Sequence, residues 1–291
     1  MTEFSLLLPT YHASDPDHLR RAFVSAVQDQ SLRPNEVVLV RDGPVPAALT
    51  VVLDELVADS PIPVQRVDLV RNAGLGHALD AGLAACSHEV VARMDSDDVS
   101  LPQRFAVQLP VIESGFDLVG SALLEFGVDE NHIVGVRTPP IGESEIKRWS
   151  RFADPFNHPT VVYRRSVVLA AGGYRNLPLL EDYWLFARMI AGGAHVANIA
   201  EPLVKYRVGE GAYGRRGGWQ LLRSEIELQR QFRASGFVTR KQYLRNLVVR
   251  GGYRLVPEPV RKAAYGRLIA HRGEQKGEGR ANPPPAGESR R

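Results

Sequence analysis

Three carboxylates crowd into the four residues Asp95-Ser96-Asp97-Asp98, directly behind the short run Val90-Val91-Ala92-Arg93-Met94. Anions held that close repel one another unless a cation sits between them. A hard divalent ion suits the place, because Mg²⁺ typically takes one or two protein carboxylates and completes its octahedron with substrate phosphates. An Asp-x-Asp where a strand ends therefore points to a metal-bridged diphosphate, with a solvated acidic turn as the plainer alternative. A second acidic pair, Glu181-Asp182, precedes Tyr183-Trp184 at the start of a helical stripe. Carboxylates there either complement a helix dipole or include a base that withdraws the proton from a hydroxyl nucleophile. Arg71-Asn72 sets a cation and an amide beside Gly74 and Gly76, where glycines admit close backbone approach and a helix N-terminus favours phosphate. His158, ahead of Pro159, suits a diphosphate, a metal shell or hydrogen-bonded packing. Arg215-Arg216-Gly217-Gly218-Trp219 is either a solvated basic turn or a cationic loop that folds over a diphosphate.

Such groups act together only if the chain brings them to one place. The first hundred residues alternate between short apolar runs and amphipathic segments. Phe4–Leu8, Glu36–Val40, Val64–Val70 and Glu89–Met94 read as strands buried on both faces. Between them, Leu19, Phe23, Ala26 and Val27, then Leu49, Val52, Leu53 and Leu56, then the segment from Gly74 to Ala85, carry helical spacing. That rhythm predicts right-handed βαβ crossovers, a mainly parallel sheet flanked by helices, and a ligand crevice beyond the strands' carboxyl ends. Pro9-Thr10-Tyr11, Asp42, Arg71-Asn72 and Asp95-Ser96-Asp97 each follow one of the four strands, so the topology gathers them at one edge. Further on, Asp117–Gly120 and Ala122–Phe126 read as two more strands. A helix is expected from Leu101, shortened or kinked by Pro110, and residues 127–157 as a long excursion over the site. Leu180 to Ala191 and residues 219–250 read as helical.

With 291 residues, 44% of them hydrophobic and 24% charged, the chain has the composition of one large or two small globular domains. The single Cys86 excludes an intrachain disulfide framework, and no apolar run approaches the roughly 20 residues of a membrane span. Met1-Thr2-Glu3-Phe4 lacks a basic leader, so a cytoplasmic location is the expectation. Charge is uneven: residues 240–291 hold 13 Lys/Arg against 4 Glu, whereas residues 1–239 hold 23 against 29. A basic end on an acidic body is either a solvated, partly disordered tail or a segment attracted to an anionic surface, membrane headgroups or nucleic acid; no recognition module for specific nucleic-acid readout accompanies it.

Taken in order, Pro9-Thr10-Tyr11, Gln30-Ser31-Leu32-Arg33-Pro34-Asn35-Glu36, Asp42-Gly43, Asn72-Ala73-Gly74-Leu75-Gly76, Met94-Asp95-Ser96-Asp97-Asp98 and Glu181-Asp182-Tyr183-Trp184 resemble the motif series of family 2 glycosyltransferases. Asn157-His158-Pro159-Thr160, Gly172-Gly173-Tyr174 and Arg215-Arg216-Gly217-Gly218-Trp219 extend the likeness to the amylovoran-biosynthesis branch, over roughly residues 4–265. The resemblance implies a GT-A fold with a helical C-terminal extension, and inverting transfer from a nucleotide-diphosphate sugar to a glycan or polyprenyl-diphosphate-linked acceptor in cell-surface polysaccharide synthesis. It implies that Pro9, Thr10 and Tyr11 line the base, and that Asp42, acceptor-only when ionised, takes the imide N–H of uracil or thymine. This chain has Arg41-Asp42-Gly43-Pro44 where the family usually has Asp-Asp-Gly-Ser, but the carboxylate is present. By the same likeness Arg71, Asn72, Ser96, His158, Arg215 and Arg216 contact the donor, and Asp97 is the main ligand of Mg²⁺ or Mn²⁺. Asp95 would contact the ribose or the metal's water shell, Asp182 be the general base, and Glu181 orient the acceptor.

A sugar-phosphate nucleotidyltransferase is the competing enzymatic class, but it needs a glycine-rich basic loop after the first strand, where this chain has Pro9-Thr10-Tyr11-His12-Ala13. A nucleotide-sugar-binding protein without turnover is the non-enzymatic alternative. The expected organisation is a transferase domain over 1–215, its donor half about 1–100 and its acceptor half about 101–215. A helical basic extension over 216–272 and a disordered tail over 273–291 would follow.

Overall fold

The computed structural model describes residues 2–209 and 218–255. Four strands, β1 (Phe4–Tyr11), β2 (Glu36–Asp42), β3 (Val64–Asp68) and β4 (Val90–Arg93), lie parallel in the order β3-β2-β1-β4. Their crossovers carry the helices α1 (Pro16–Val27), α2 (Ala47–Ala58) and α3 (Leu75–Ala85). Period-2 alternation sends Leu6, Leu8, Val37 and Leu39 into the core shared with α1 and α2, and Leu7, Val38 and Val40 into the one shared with α3. Both faces of β1 and β2 are therefore apolar, which is why they read as continuous runs; β3, at the sheet edge, is only partly covered, contrary to the expectation of burial on both faces. Asp15 caps α1 by accepting from the Asp17 and His18 N–H groups, and Pro16 occupies its first turn.

Beyond β4 the sheet changes sense. Its neighbours are β8 (Val162–Arg164), β6 (Leu118–Phe126), β9 (Val196–Arg207) and β5 (Val99–Ser100), with β7 (Ile133–Arg137) forming a hairpin on β6. β8 is antiparallel to both β4 and β6, while β6 and β9 run parallel. The two strands expected over 117–126 are one strand, whose register against β9 shifts on either side of Ala122. β9, with Glu201-Pro202 in its middle, has no apolar run to announce it. The excursion over 127–157 contains β7 and α5 (Glu143–Trp149). Helix α4 (Arg104–Glu113) starts three residues after the expected Leu101 and continues through Pro110.

After α6 (Arg165–Ala170) and α7 (Glu181–Ala191), the expected helix over 219–250 is broken. α8 (Trp219–Ala234) ends at Ser235-Gly236, with Gly236 at φ +74°; α9 (Arg240–Asn246) then begins at a Thr239–Gln242 capping box. A wide turn over Leu247–Gly251 leads into α10 (Gly252–Leu255). Leu221, Leu228 and Phe232 of α8 pack on Tyr183 and Ala187 of α7, so these helices sit directly behind the acidic pair. The expected boundary at 215/216 and the tail over 273–291 lie outside the described residues.

Gly43 marks how tightly the loops at the sheet edge meet. It sits at φ +82°, and a Cβ there would lie 2.3 Å from the Asn72 backbone nitrogen. Gly43→Ala is expected to cost about 1–3 kcal/mol in urea unfolding, because backbone must move as well as strain. A loss under about 0.5 kcal/mol would contradict that contact.

Candidate active site

Tyr11 lies opposite Asp42 across β1 and β2, and Leu7 opposite Arg93 across β1 and β4, so the strand tips stand side by side. Tyr11 is half exposed and beside His12, while the Thr10 hydroxyl is buried with no hydrogen-bond partner. Ser14 ties the first tip to the fourth, its Oγ 3.2 Å from Ser96 Oγ and accepting from the Tyr11 N–H at 3.2 Å. Asp42 is buried; its two carboxylate oxygens accept from the Ala73 and Gly74 N–H groups at 2.7 and 3.0 Å. Each oxygen has a further lone pair for a ligand. Asn72 Nδ2 donates to the Asp42 carbonyl, and Arg71 and Asn72 face solvent at the mouth of the same loop.

Behind the strand tips lies a buried cation. Arg93 is 1% exposed, pairs with Asp95 through Nη2, and has no hydrogen-bond partner at Nε or Nη1. Its charge reaches Asp97, Asp98, Glu181 and Asp182 as well, so carboxylates from both ends of the chain surround one guanidinium. Arg104, fully buried, supports it by donating from Nη2 to the Arg93 carbonyl at 2.6 Å. Asp95, Asp97 and Asp98 each offer an oxygen within 4.8 Å of the others. Asp98 accepts from the Arg207 N–H at 2.9 Å, and Arg207 Nε donates to the Asp97 carbonyl at 3.0 Å. Asp95 pairs with Arg93, whereas neither Asp97 nor Asp98 forms an ion pair among the described residues; Asp98 takes only the Arg207 backbone N–H, and its Oδ2 has no partner. Burial, then the neighbouring Asp95 charge, push Asp97 up to about 6. Three crowded oxygens with poorly compensated charge fit a hard divalent ion.

The facing wall is the first turn of α7. Leu179 precedes it at φ +69°, a left-handed conformation unusual for leucine, and so turns Glu181 and Asp182 toward the strand tips. Asp182 Oδ1 accepts from the Tyr183 N–H at 2.7 Å, and Oδ2 lies 3.4 Å from His158 Nδ1. His158 Nε2 in turn lies 3.1 Å from the Tyr174 hydroxyl. Burial, then Arg93, hold His158 well below its usual value, so the ring is neutral. The network assigns its proton to Nδ1, facing the carboxylate, and has Tyr174 donating to Nε2. His158 is thus packed behind Asp182, against Tyr174 and Phe186. Asp154, half-buried, adds a carboxylate whose charge is coupled to Asp182; its Oδ1 accepts from the Phe156 N–H. Burial is the largest cause raising Asp182; burial, then the Asp182 charge, push Glu181 up to about 8.

Pro9, Thr10, Tyr11, Asp42, Arg71, Asn72, Asp95, Ser96 and Asp97 therefore gather at one sheet edge, and Glu181, Asp182 and His158 join them through Arg93. Arg215 and Arg216 lie outside the described residues. Sequence reasoning passed over Arg93, Asp154, Tyr174 and Arg207 as actors. Tyr174 and Arg93 stood inside quoted segments, and only an arginine interrupting a buried strand marked the second.

The family model for glycosyl transferase family 2 matches residues 5–171. An amylovoran biosynthesis glycosyltransferase of Erwinia amylovora, AmsE, is 37% identical over 90% of this chain and 97% of its own length. A β-1,3-galactosyltransferase of Escherichia coli, named for UDP-Gal and α-D-GlcNAc-diphosphoundecaprenol, is 31% identical over 92% and 96%. Among solved structures, S. aureus TarS residues 1–349 with UDP-GlcNAc superimposes with a TM-score of 0.62 at 15% identity, over 85% of this chain and 73% of that one. A mannosyltransferase of Pyrobaculum calidifontis with GDP-Man and Mn²⁺ gives 0.60 at 13%, over 94% and 82%. The fold is that of GT-A glycosyltransferases. The chain belongs to glycosyl transferase family 2.

A metal ion must displace whatever proton its ligand carries. With Asp97 titrating near 6, Mn²⁺ is expected to raise the melting temperature by several degrees at pH 8 and far less at pH 5. Asp97→Asn should remove the pH 8 shift. Equal shifts at both pH values would place the ion elsewhere.

Proposed function

We propose that the chain is an inverting, metal-dependent transferase that moves one sugar from a UDP- or dTDP-sugar to a glycan on a polyprenyl-diphosphate carrier in cell-surface polysaccharide synthesis. The observation that carries this reading is the position of Asp182: at the start of α7, held by His158, and within electrostatic reach of the cation that also binds the Asp95–Asp98 loop. The relative named for a UDP-sugar and a lipid-diphosphate acceptor supports the donor and acceptor classes. In this reading Pro9, Thr10 and Tyr11 line the base and Asp42 accepts its imide N–H. Arg71, Asn72 and Ser96 hold the ribose and diphosphate, and Arg215 and Arg216 close over them. Transferase residues span 1–215, and the basic region over 216–272 draws the protein to the inner face of the membrane.

Asp97, with Asp95, would hold Mg²⁺ or Mn²⁺, and the ion would neutralise charge on the departing nucleoside diphosphate. The rest belongs to side chains. Asp182, ionised, accepts the proton of the acceptor hydroxyl as that oxygen bonds to the anomeric carbon and the bond to the diphosphate oxygen breaks. One base and no enzyme nucleophile give inversion. The Nδ1–H of His158 holds the Asp182 carboxylate in orientation. Glu181, protonated at neutral pH, presents a hydroxyl that orients the acceptor without adding a second charge.

Asp182→Asn should lower transfer by about 10²–10⁴-fold while donor affinity, read by calorimetry with UDP-sugar and Mn²⁺, stays within a few-fold. Near-normal turnover would reassign the base. Ionisation of Glu181 above about 8 should slow wild-type transfer, and Glu181→Gln should lose that alkaline limb. An unchanged profile would remove Glu181 from the acceptor site.

A further inference from the structure

Helix α9 and the turn that follows it are inside out. Their protected side carries, beside Tyr243 on the core behind α7, a set of polar groups. Asn246, fully buried, donates from Nδ2 to the Arg151 carbonyl at 2.8 Å and to Gln229 Oε1 at 2.9 Å. Arg250 forms a two-pronged pair with buried Glu225, from Nε at 2.7 Å and Nη2 at 2.9 Å, and Arg254 reaches the same carboxylate at 3.2 Å. This network fastens the segment to α8 and to the stretch after α5. The outward side is apolar: Leu244 is 61% exposed, Val248 74%, Val249 51% and Tyr253 39%. A helix that buries amide and guanidinium while showing leucine and valine to water has an apolar surface still to be covered.

Charge identifies the cover. No Asp or Glu occurs between Glu227 and Glu258, whereas Arg240 and Lys241 stand exposed beside the apolar stripe. Residues 256–291 add 8 Lys/Arg against 4 Glu. Aliphatic residues, a tyrosine and flanking cations on one helical face match a bilayer interface with anionic headgroups. A second copy of this chain would set like charges against each other. The polar side of the same segment packs against residues 151–154, where Arg245 stacks on Phe152 at 4.7 Å and Arg250 lies within electrostatic reach of Asp154. Docking by this stripe thus brings the acceptor wall close to the lipid surface.

We propose that Leu244, Val248, Val249 and Tyr253 form a membrane-docking face that inserts among anionic lipids and presents the acceptor side of the site to the bilayer. The orientation rests on the lipid-linked acceptor reading; the docking itself does not.

The test is flotation of the full chain with vesicles of phosphatidylglycerol and phosphatidylcholine, against phosphatidylcholine alone. The wild type should float with the anionic vesicles and stay partly bound in 0.5 M salt, because insertion is not screened as charge is (about one Debye length, 3 Å, near 1 M). Leu244→Asp with Val248→Asp should lower partitioning by at least about tenfold, given ~0.8 kcal/mol per buried CH₂ lost. A Val248→Cys variant carrying an environment-sensitive dye should shift to the blue on anionic vesicles, a readout independent of the double variant's folding. Equal flotation of wild type and double variant, no flotation of the wild type, or a dye that reports no change would each overturn the docking face. So would a wild-type dimer that the double variant abolishes without any lipid binding. Donor affinity, measured on the same samples in solution, reports separately on the transferase reading, since Leu244 and Val248 touch neither donor nor base.

Discussion

One buried guanidinium in a ring of carboxylates governs this site. Arg93 leaves the end of a central strand and meets Asp95 directly, with Asp97, Asp98, Glu181 and Asp182 within its field. Five acids in that space would repel strongly in a dry setting, and a single positive charge compensates only part of them. The remainder shows as Asp97 and Glu181 raised to about 6 and about 8. A folded-state value above the unfolded one means that stability is present at low pH and lost as pH rises through the raised value. For Asp97 that window runs from 3.8 to about 6, and for Glu181 from 4.5 to about 8. The crowded charge at neutral pH is of the kind that a bound cation would relieve.

The same arrangement separates two acids by role. Burial raises Asp182, and the Tyr183 N–H that it accepts opposes that shift; its other oxygen faces a neutral His158. Glu181, one residue earlier and less exposed, is pushed up to about 8 by burial and then by the Asp182 charge. In the proposed reading, such adjacent acids serve as a base and a neutral donor. His158 and Tyr174 extend the Asp182 contacts into the core, so its orientation depends on packing around Phe186 as well as on the first turn of α7.

Much of this was legible in the chain. Three of the four parallel strands are runs buried on both faces, whereas β3, at the sheet edge, is only partly covered; the topology alone carries Thr10, Asp42, Asn72 and Asp97 to one edge. The acidic motifs were visible as types and spacings. What escaped were elements whose identity depends on distant partners. β9 is interrupted by Glu201-Pro202 and gains its strand character from pairing with β6. Asp154 and Arg207 are ordinary loop and strand-end residues until the sheet brings them beside Asp182 and Asp98. Arg93 looks like a lone charge closing an apolar run; only the fold shows it buried beneath the site. His158 carried three readings in sequence, and its contacts with Asp182 and Tyr174 place it behind the base.

The central claim is that Arg93 holds the carboxylates of the two walls by charge, beyond filling space. The melting temperature of Arg93→Met against pH, beside the wild type and without added metal, tests this most directly. Charge compensation predicts a variant much less stable than wild type at pH 8, by about 3–5 kcal/mol, with the gap closing toward pH 5 as the acids take up protons. A gap of the same size at both pH values would show that the side chain matters only as volume.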